Sequence, residues 1–152
     1  MPKITPFLWF DGRAEEAMNF YLSVFKDGKV LSVSRKDGKV LVVTFEVAGQ
    51  RFMALNAEPI FKFNESVSFF VNCESQGEVD YCWNRLLEGG QESQCGWLKD
   101  KFGLSWQIIP SALMRLIGDP DPAKSKAVFE AMMKMKKIVI RDLEKAYEAK
   151  AA

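Results

Sequence analysis

Ala17-Met18-Asn19-Phe20-Tyr21-Leu22-Ser23-Val24-Phe25-Lys26-Asp27-Gly28 and Val79-Asp80-Tyr81-Cys82-Trp83-Asn84-Arg85-Leu86-Leu87-Glu88-Gly89-Gly90 carry one pattern twice. In the first, Ala17, Phe20, Tyr21, Val24 and Phe25 recur at i, i+3, i+4, i+7 and i+8; in the second, Val79, Cys82, Trp83, Leu86 and Leu87 do the same. Each set is one apolar stripe of an amphipathic helix, and a glycine closes each. Val79 follows Ala17 by 62 residues, as Gly90 follows Gly28, so the chain reads as an internal repeat.

The flanks repeat as well. Ahead of the first helix, residues 4–10, Ile-Thr-Pro-Phe-Leu-Trp-Phe, predict a strand whose prolines suit an edge or a strand start, with Asp11-Gly12 as the helix cap. After the helix come strand-like runs at about 29–35, 40–47 and 50–56, joined at Asp37-Gly38 and Ala48-Gly49. The first module is therefore βαβββ. In the second, residues 66–73 predict a strand and Ser75-x-x-Glu78 a capping box. The two leading strands match best 63 apart, Leu8 with Val71 and Phe10 with Cys73, so one loop differs by a residue. The module continues through residues 95–100, a turn at Phe102-Gly103 and residues 104–109, short enough that one strand is expected to be lost or abbreviated.

From Pro110 on the pattern turns helical: 111–117, a break at Asp119-Pro120-Asp121-Pro122, then about 123–137 and 140–149. Val128, Ala131, Met132 and Met135 form a stripe that Phe129 and Met133 widen, an arc broad enough to be buried against a sheet or a partner subunit. The expectation is one α+β domain over 1–152: module 1 at about 1–57, module 2 at about 65–110, and C-terminal helices at about 111–149.

The 152 residues are 48% hydrophobic and 27% charged, ample for a core without staples. With 21 Lys+Arg against 20 Asp+Glu there is no net field to draw nucleic acid or an anionic membrane, and Lys134, Lys136 and Lys137 read as a solvated helix edge. No run approaches the ~20 apolar residues of a membrane span and no signal stretch opens the sequence, so a cytosolic protein is expected. Cys73, Cys82 and Cys95 cannot all pair and have no CxxC spacing, so they read as free thiols. The chain contains no histidine, which excludes imidazole-held metal, a histidine general base and a Ser-His triad.

Pro6-Phe7-Leu8-Trp9-Phe10-Asp11-Gly12, Glu15-Glu16-Ala17, Asn19-Phe20-Tyr21 and Gly96-Trp97-x-x-Asp100-x-Phe102-Gly103-x-x-Trp106-Gln107 together resemble the PhnB-like group of the glyoxalase, bleomycin-resistance and extradiol-dioxygenase (vicinal oxygen chelate) superfamily. The likeness covers about 1–110, and Met135-Lys136-Lys137-Ile138 and Leu143-Glu144-Lys145-Ala146-Tyr147 carry it further. It implies paired βαβββ modules whose mixed sheets curl into a cup, completed in a homodimer, with a helical C-terminal extension. In the metalloenzyme relatives the cup holds a metal on side chains from the first and last strand of each module.

Alternation places the corresponding residues. If Leu8 and Phe10 face the helix, then Thr5, Phe7 and Trp9 face the cup; by the same parity Ser68, Phe70 and Asn72 face it from module 2. The resemblance puts a metal-binding carboxylate four residues after a glycine in the last strand, where Gly103 is followed by Gln107; the first-strand histidine falls near Thr5, and Asn56 is a looser counterpart. Neutral Thr, Ser, Gln and Asn are poor ligands for a divalent ion. The expected protein therefore has no cofactor and binds a small, partly apolar molecule through Thr5, Phe7, Trp9, Asn56, Ser68, Phe70 and Gln107. The rival is a metalloenzyme in which Gln107, with Glu46 or Glu58, holds a weak ion. Cys95, beside Gly96 and Trp97, is a further candidate as a reactive thiol. The group often bears the label 3-demethylubiquinone 3-methyltransferase, yet the glycines fall at hairpins and helix ends rather than in a cofactor-binding strand-to-helix turn.

Overall fold

A computed structural model describes residues 2–151, apart from the side chain of residue 151. The chain divides into two compact units, one running to Lys62 and the other beginning at Phe63.

In the first unit, β1 (Phe7–Phe10), α1 (Ala14–Val24), β2 (Lys29–Lys36), β3 (Lys39–Val47) and β4 (Gln50–Asn56) give a mixed sheet of order β1-β4-β3-β2. Both connecting turns hold two residues at positive φ, Asp37 (53°) with Gly38 (77°) and Ala48 (49°) with Gly49 (78°), the twist a two-residue hairpin requires. β1 begins at Phe7 rather than residue 4. Pro6 has no N–H for the ladder and contributes its carbonyl, which accepts from Met53 N at 2.9 Å, so Thr5 lies ahead of the strand.

α1 covers one face of this sheet, packing on β3 and β4. Leu8, Phe10, Ala17, Tyr21 and Val24 are buried there, and Tyr21, Phe45 and Phe52 stack at 6.3 and 5.6 Å between ring centroids. Asp11-Gly12 does not cap the helix. The N-cap position is Arg13, which makes no side-chain cap bond, and Ala14 N donates instead to Asn56 Oδ1 at 2.8 Å.

The second unit repeats the plan with β5 (Ser68–Cys73), α2 (Gln76–Leu87), β6 (Gln91–Glu92), β7 (Trp97–Lys99) and β8 (Ser105–Pro110), in the order β5-β8-β7-β6. The short strand is kept but cut to two residues. Ser75 caps α2 by accepting from Glu78 N at 3.1 Å, while Glu78 Oε2 accepts from Glu74 N at 3.0 Å, one residue ahead of the expected partner. Val79, Cys82, Trp83 and Leu86 are buried under it as their spacing predicts.

Asp100 organises the turn between β7 and β8. Its carboxylate is 3% exposed; Oδ1 accepts from Phe102 N (2.9 Å) and Leu104 N (3.0 Å), and Oδ2 from Trp106 Nε1 (2.9 Å). The Asp100-x-Phe102-Gly103-x-x-Trp106 spacing is thus a folding device: a buried charge is tolerated because donors saturate it.

α3 (Ser111–Ile117), α4 (Pro122–Met133) and α5 (Ile140–Ala151) close the second unit around Ile109, Leu113, Leu116, Val128, Ile138 and Leu143. α4 stops at Met133 rather than 137, because Met135 O and Lys136 O leave the helix to accept from Cys95 N (2.8 Å) and Gly96 N (2.7 Å). Gly96 has φ +86°, a conformation strained for any side chain, and a Cβ there would crowd Ile108 O and Ile138 Cγ1 at 3.1 Å, so glycine favours the close approach of the extension. Gln76 clamps the same segment, donating to Ile138 O (3.0 Å) and accepting from Ile140 N (2.8 Å). The basic run is engaged as well: Lys136 pairs with Glu92 and Lys137 with Asp80. Val128 points into this core, but Phe129 and Met133 are about half exposed, so the widened part of the arc is not covered within the chain. No helix of the described residues is long and apolar enough to cross a membrane.

Candidate functional site: the open sheet faces

Each sheet has one face under its helix and one without. Register defines the second. In the first unit Phe7 stands beside Met53 and Trp9 beside Leu55, with Thr44 and Val42 continuing the rows on β3. Phe7 is 49% exposed, whereas Leu8 and Phe10 are buried, so the parity is as the sequence implies. Trp9 is half-buried: its Nε1 donates to Glu58 O at 2.8 Å and its ring meets Phe61 edge-on at 4.9 Å. The segment after β4 therefore folds back along this face, something no periodicity could announce. Thr5 is half-buried just ahead of it.

Asn56 does not belong to the open face. It is the register partner of Phe10, which looks toward α1, and both ends of its amide are engaged: Oδ1 on Ala14 N, Nδ2 on Val40 O at 3.2 Å. It caps the helix from the neighbouring strand. Glu46 is on the open face but paired with Arg51 at 2.9 Å, and Glu58 is exposed and meets Trp9 through its carbonyl.

In the second unit the rows are Phe70, Gln107, Trp97 and Ser68, Ser105, Lys99, each running β5, β8, β7. Phe70 is 50% exposed, and Gln107 Nε2 donates to Ser68 Oγ at 2.9 Å, diagonally across the strand pair. Asn72 lies at the far end, its Nδ2 on Glu74 Oε1 (2.8 Å) and its Oδ1 accepting from Ser111 Oγ (3.0 Å). Ser105 and Lys99 were not among the residues singled out from sequence, and Trp97 was noted only as the neighbour of Cys95. The signal was available: β7 is antiparallel to β8, so Trp97 shares the face of Gln107 while Trp106 takes the other.

Cys95 is half-buried at φ 58°, its Sγ 3.6 Å from Met133 Sδ. Cys73 and Cys82 are buried, and hydrogen bonding to Cys82 together with burial pushes the Cys73 thiol up, so it stays protonated and inert.

The matched relatives fall in with this geometry. Residues 2–109 match the family described as 3-demethylubiquinone-9 3-methyltransferase. The chain belongs to that family. Among solved structures, a PhnB protein from Bacillus cereus is 37% identical over 72% of this chain and 100% of its own, with a TM-score of 0.68. A protein from Pseudomonas aeruginosa is 22% identical over 72% and 98%, with a TM-score of 0.60. A fosfomycin resistance protein from Listeria monocytogenes, complexed with Mn(II) and sulfate, shares the fold at 14% identity over 70% and 90%, TM-score 0.51. No curated protein matches the chain. The PhnB-like match ends at residue 109, so α3 to α5 lie outside it, including the 135–147 stretch in which the likeness was expected to continue.

A metal of the kind the superfamily resemblance implies does not suit this member's donors. Thr5, Ser68 and Gln107 are neutral, the Gln107 amide nitrogen is engaged by Ser68, and Asn56 faces the helix. Among the described residues no three His, Cys, Asp or Glu side chains come together as a metal-holding group. Neutral hydroxyls and amides do not neutralise a divalent charge.

Proposed function

We propose that the chain binds a small, partly apolar molecule without a transition metal on the open faces of its units, each taken by itself, the first carrying Phe7 and Trp9 and the second Phe70, Trp97 and Gln107, and that it does so as a homodimer. The Gln107–Ser68 hydrogen bond carries the reading. At the position where the resemblance puts a metal-binding carboxylate, this chain has an amide whose donor is engaged by a hydroxyl, leaving its carbonyl oxygen as an acceptor. Half-exposed Phe70 supplies apolar area beside it, and Phe7 does so on the first unit's own open face, the mixture expected of a small-molecule site. Exposed Phe129 and Met133 on α4 support a second copy as partner. Methyl transfer is left out of the proposal: the strand-to-helix turn after β1 holds a single glycine, and neither sheet has the alternating parallel βα order of a nucleotide-type cofactor site.

Metal analysis of protein purified without chelator, beside a thermal-shift screen of small aromatic and aliphatic compounds, tests the reading. Substoichiometric metal is expected, with at least one stabilising compound whose effect Trp9→Ala or Gln107→Ala weakens. One tightly bound ion per chain, lost on Gln107→Ala, would overturn it. A monomer by light scattering at micromolar concentration would remove the dimer.

A further inference from the structure

Ser105 is 1% exposed, and its hydroxyl is buried with no hydrogen-bond partner, the one such side-chain atom found among the described residues. A hydroxyl carries both a donor and acceptor lone pairs, and leaving them unmatched in a buried position is costly. Ser105 borders a pocket of about 230 Å³ whose wall also includes Glu65, Gln91, Ser93, Trp97 and Lys99. The register explains the placement. Ser105 sits on β8 between Ser68 of β5 and Lys99 of β7, and the Lys99 ammonium pairs with the Glu65 carboxylate on the same pocket wall. That ion pair is solvent-exposed on both sides, so it is weak and a ligand can displace or share it.

We propose that this pocket is the polar subsite of the second unit and takes a small neutral molecule bearing several hydroxyl groups, of the size and kind of a single sugar ring. This rests on the small-molecule reading above and deepens it. Neutrality follows from the charges: Glu65 already has Lys99, and Glu92, also on the wall, has Lys136, so a charged ligand would bring in an uncompensated charge. Hydroxyls follow from the partners offered, since one ligand hydroxyl can donate to and accept from Ser105 while others reach Ser93 and the Gln91 amide. The Trp97 indole offers an apolar surface for a ring's C–H face. Size follows from the volume, which falls below the ~300–1,000 Å³ of pockets for drug-sized ligands.

The intact protein, ¹⁵N-labelled, is titrated separately with D-glucose, D-galactose, D-mannose and D-ribose, and with inorganic phosphate as the charged control. At least one sugar is expected to give saturable shifts centred on residues 91–93, 97–99 and 105, including the Trp97 indole N–H. Ser105→Ala should weaken that binding about tenfold without lowering the melting temperature, because no existing bond is lost. Gln91→Ala, at an exposed position, should weaken it too and serves if Ser105→Ala misfolds. The proposal is overturned if no sugar shifts these resonances saturably, if phosphate alone does, or if Ser105→Ala binds as tightly as the parent. Metal content and the Trp9→Ala thermal-shift response are read on the same preparation. Failure of the sugars with those two intact removes only the subsite, whereas a stoichiometric metal removes the parent reading.

Discussion

Trp106 and Trp97 are the same residue on adjacent strands of one sheet, yet they should differ sharply when cut to alanine. Trp106 is 4% exposed under α2, in contact with Phe69 at 5.5 Å, and its N–H holds Asp100 Oδ2. Removing a buried ring of that size costs about 3–5 kcal/mol, and leaving a buried carboxylate oxygen without its donor adds about 1–3 kcal/mol. The total, about 4–8 kcal/mol, is a large part of the ~5–15 kcal/mol by which a native protein is stable. Trp97 is only partly buried on the open face. About three-quarters of the ~150–250 Å² that an aromatic ring can bury, at about 25 cal/mol per Å², gives about 3–5 kcal/mol. Urea melts separate the two: with a slope near 2 kcal/mol/M, the Trp106→Ala midpoint should lie about 0.5–1.5 M below that of Trp97→Ala. A double-mutant cycle with Trp106→Phe and Asp100→Asn should show a coupling of about 1–3 kcal/mol. If Trp97→Ala is as damaging as Trp106→Ala, or the cycle shows no coupling, both the parity assignment and the role given to Asp100 are wrong.

Asn56→Ala should cost about 1–2 kcal/mol in denaturant melts, since it strips the first turn of α1 of its acceptor, while Asn56→Asp, which keeps that acceptor, should cost less; equal effects would contradict the capping role. Gly96→Ala should loosen the C-terminal extension, read as faster proteolysis and amide exchange over 134–151, because a Cβ there meets Ile109 and Ile138; unchanged exchange would refute the close approach. Under native conditions Cys95 should take up a thiol reagent well before Cys73 and Cys82, and simultaneous labelling would contradict the burial pattern. The Asp121 N–H and the Tyr147 phenol hold Asp119 below the usual carboxylate range, and Asp119 in turn raises Tyr147. A depressed carboxylate loses its contribution as pH falls through its folded pKa, and a raised phenol loses its own as pH climbs through its folded pKa, so this anchor of α5 should weaken at both extremes. Asp119→Asn should lower the Tyr147 titration midpoint toward that of free tyrosine in ultraviolet difference spectra; no movement would deny the contact.

Much of the fold was legible because local rules and global packing agree. The two helical stripes, the paired hairpin turns and the alternation in β1, β5 and β8 each record burial at a fixed period, and period is a property of sequence. Parity alone correctly separated Leu8, Phe10 and Trp106 from Phe7, Phe70 and Gln107. The same signals fixed α3 and α5 nearly to the residue. Absence of histidine, a matter of composition, ruled out imidazole-held metal before any coordinates.

What the sequence could not decide is which partner each polar side chain meets, because that depends on residues far apart in the chain arriving together. Asn56 read as a site residue and instead caps α1, 42 positions away. Asp11-Gly12 read as that cap and is not, since the acceptor for Ala14 N arrives from β4. α4 ends early because residues 135–136 find backbone donors at 95–96, a contact no helical periodicity encodes. Ser105 and Lys99 look like ordinary strand residues until the register of β7 against β8 sets Lys99 beside Ser105, whose hydroxyl is unmatched. Sequence alone determined the repeat, the strand faces and the absence of imidazole chemistry, because those follow from composition and period. Tertiary structure decided which amides and hydroxyls remain available to a ligand, because a hydrogen bond is set by distance and direction in space.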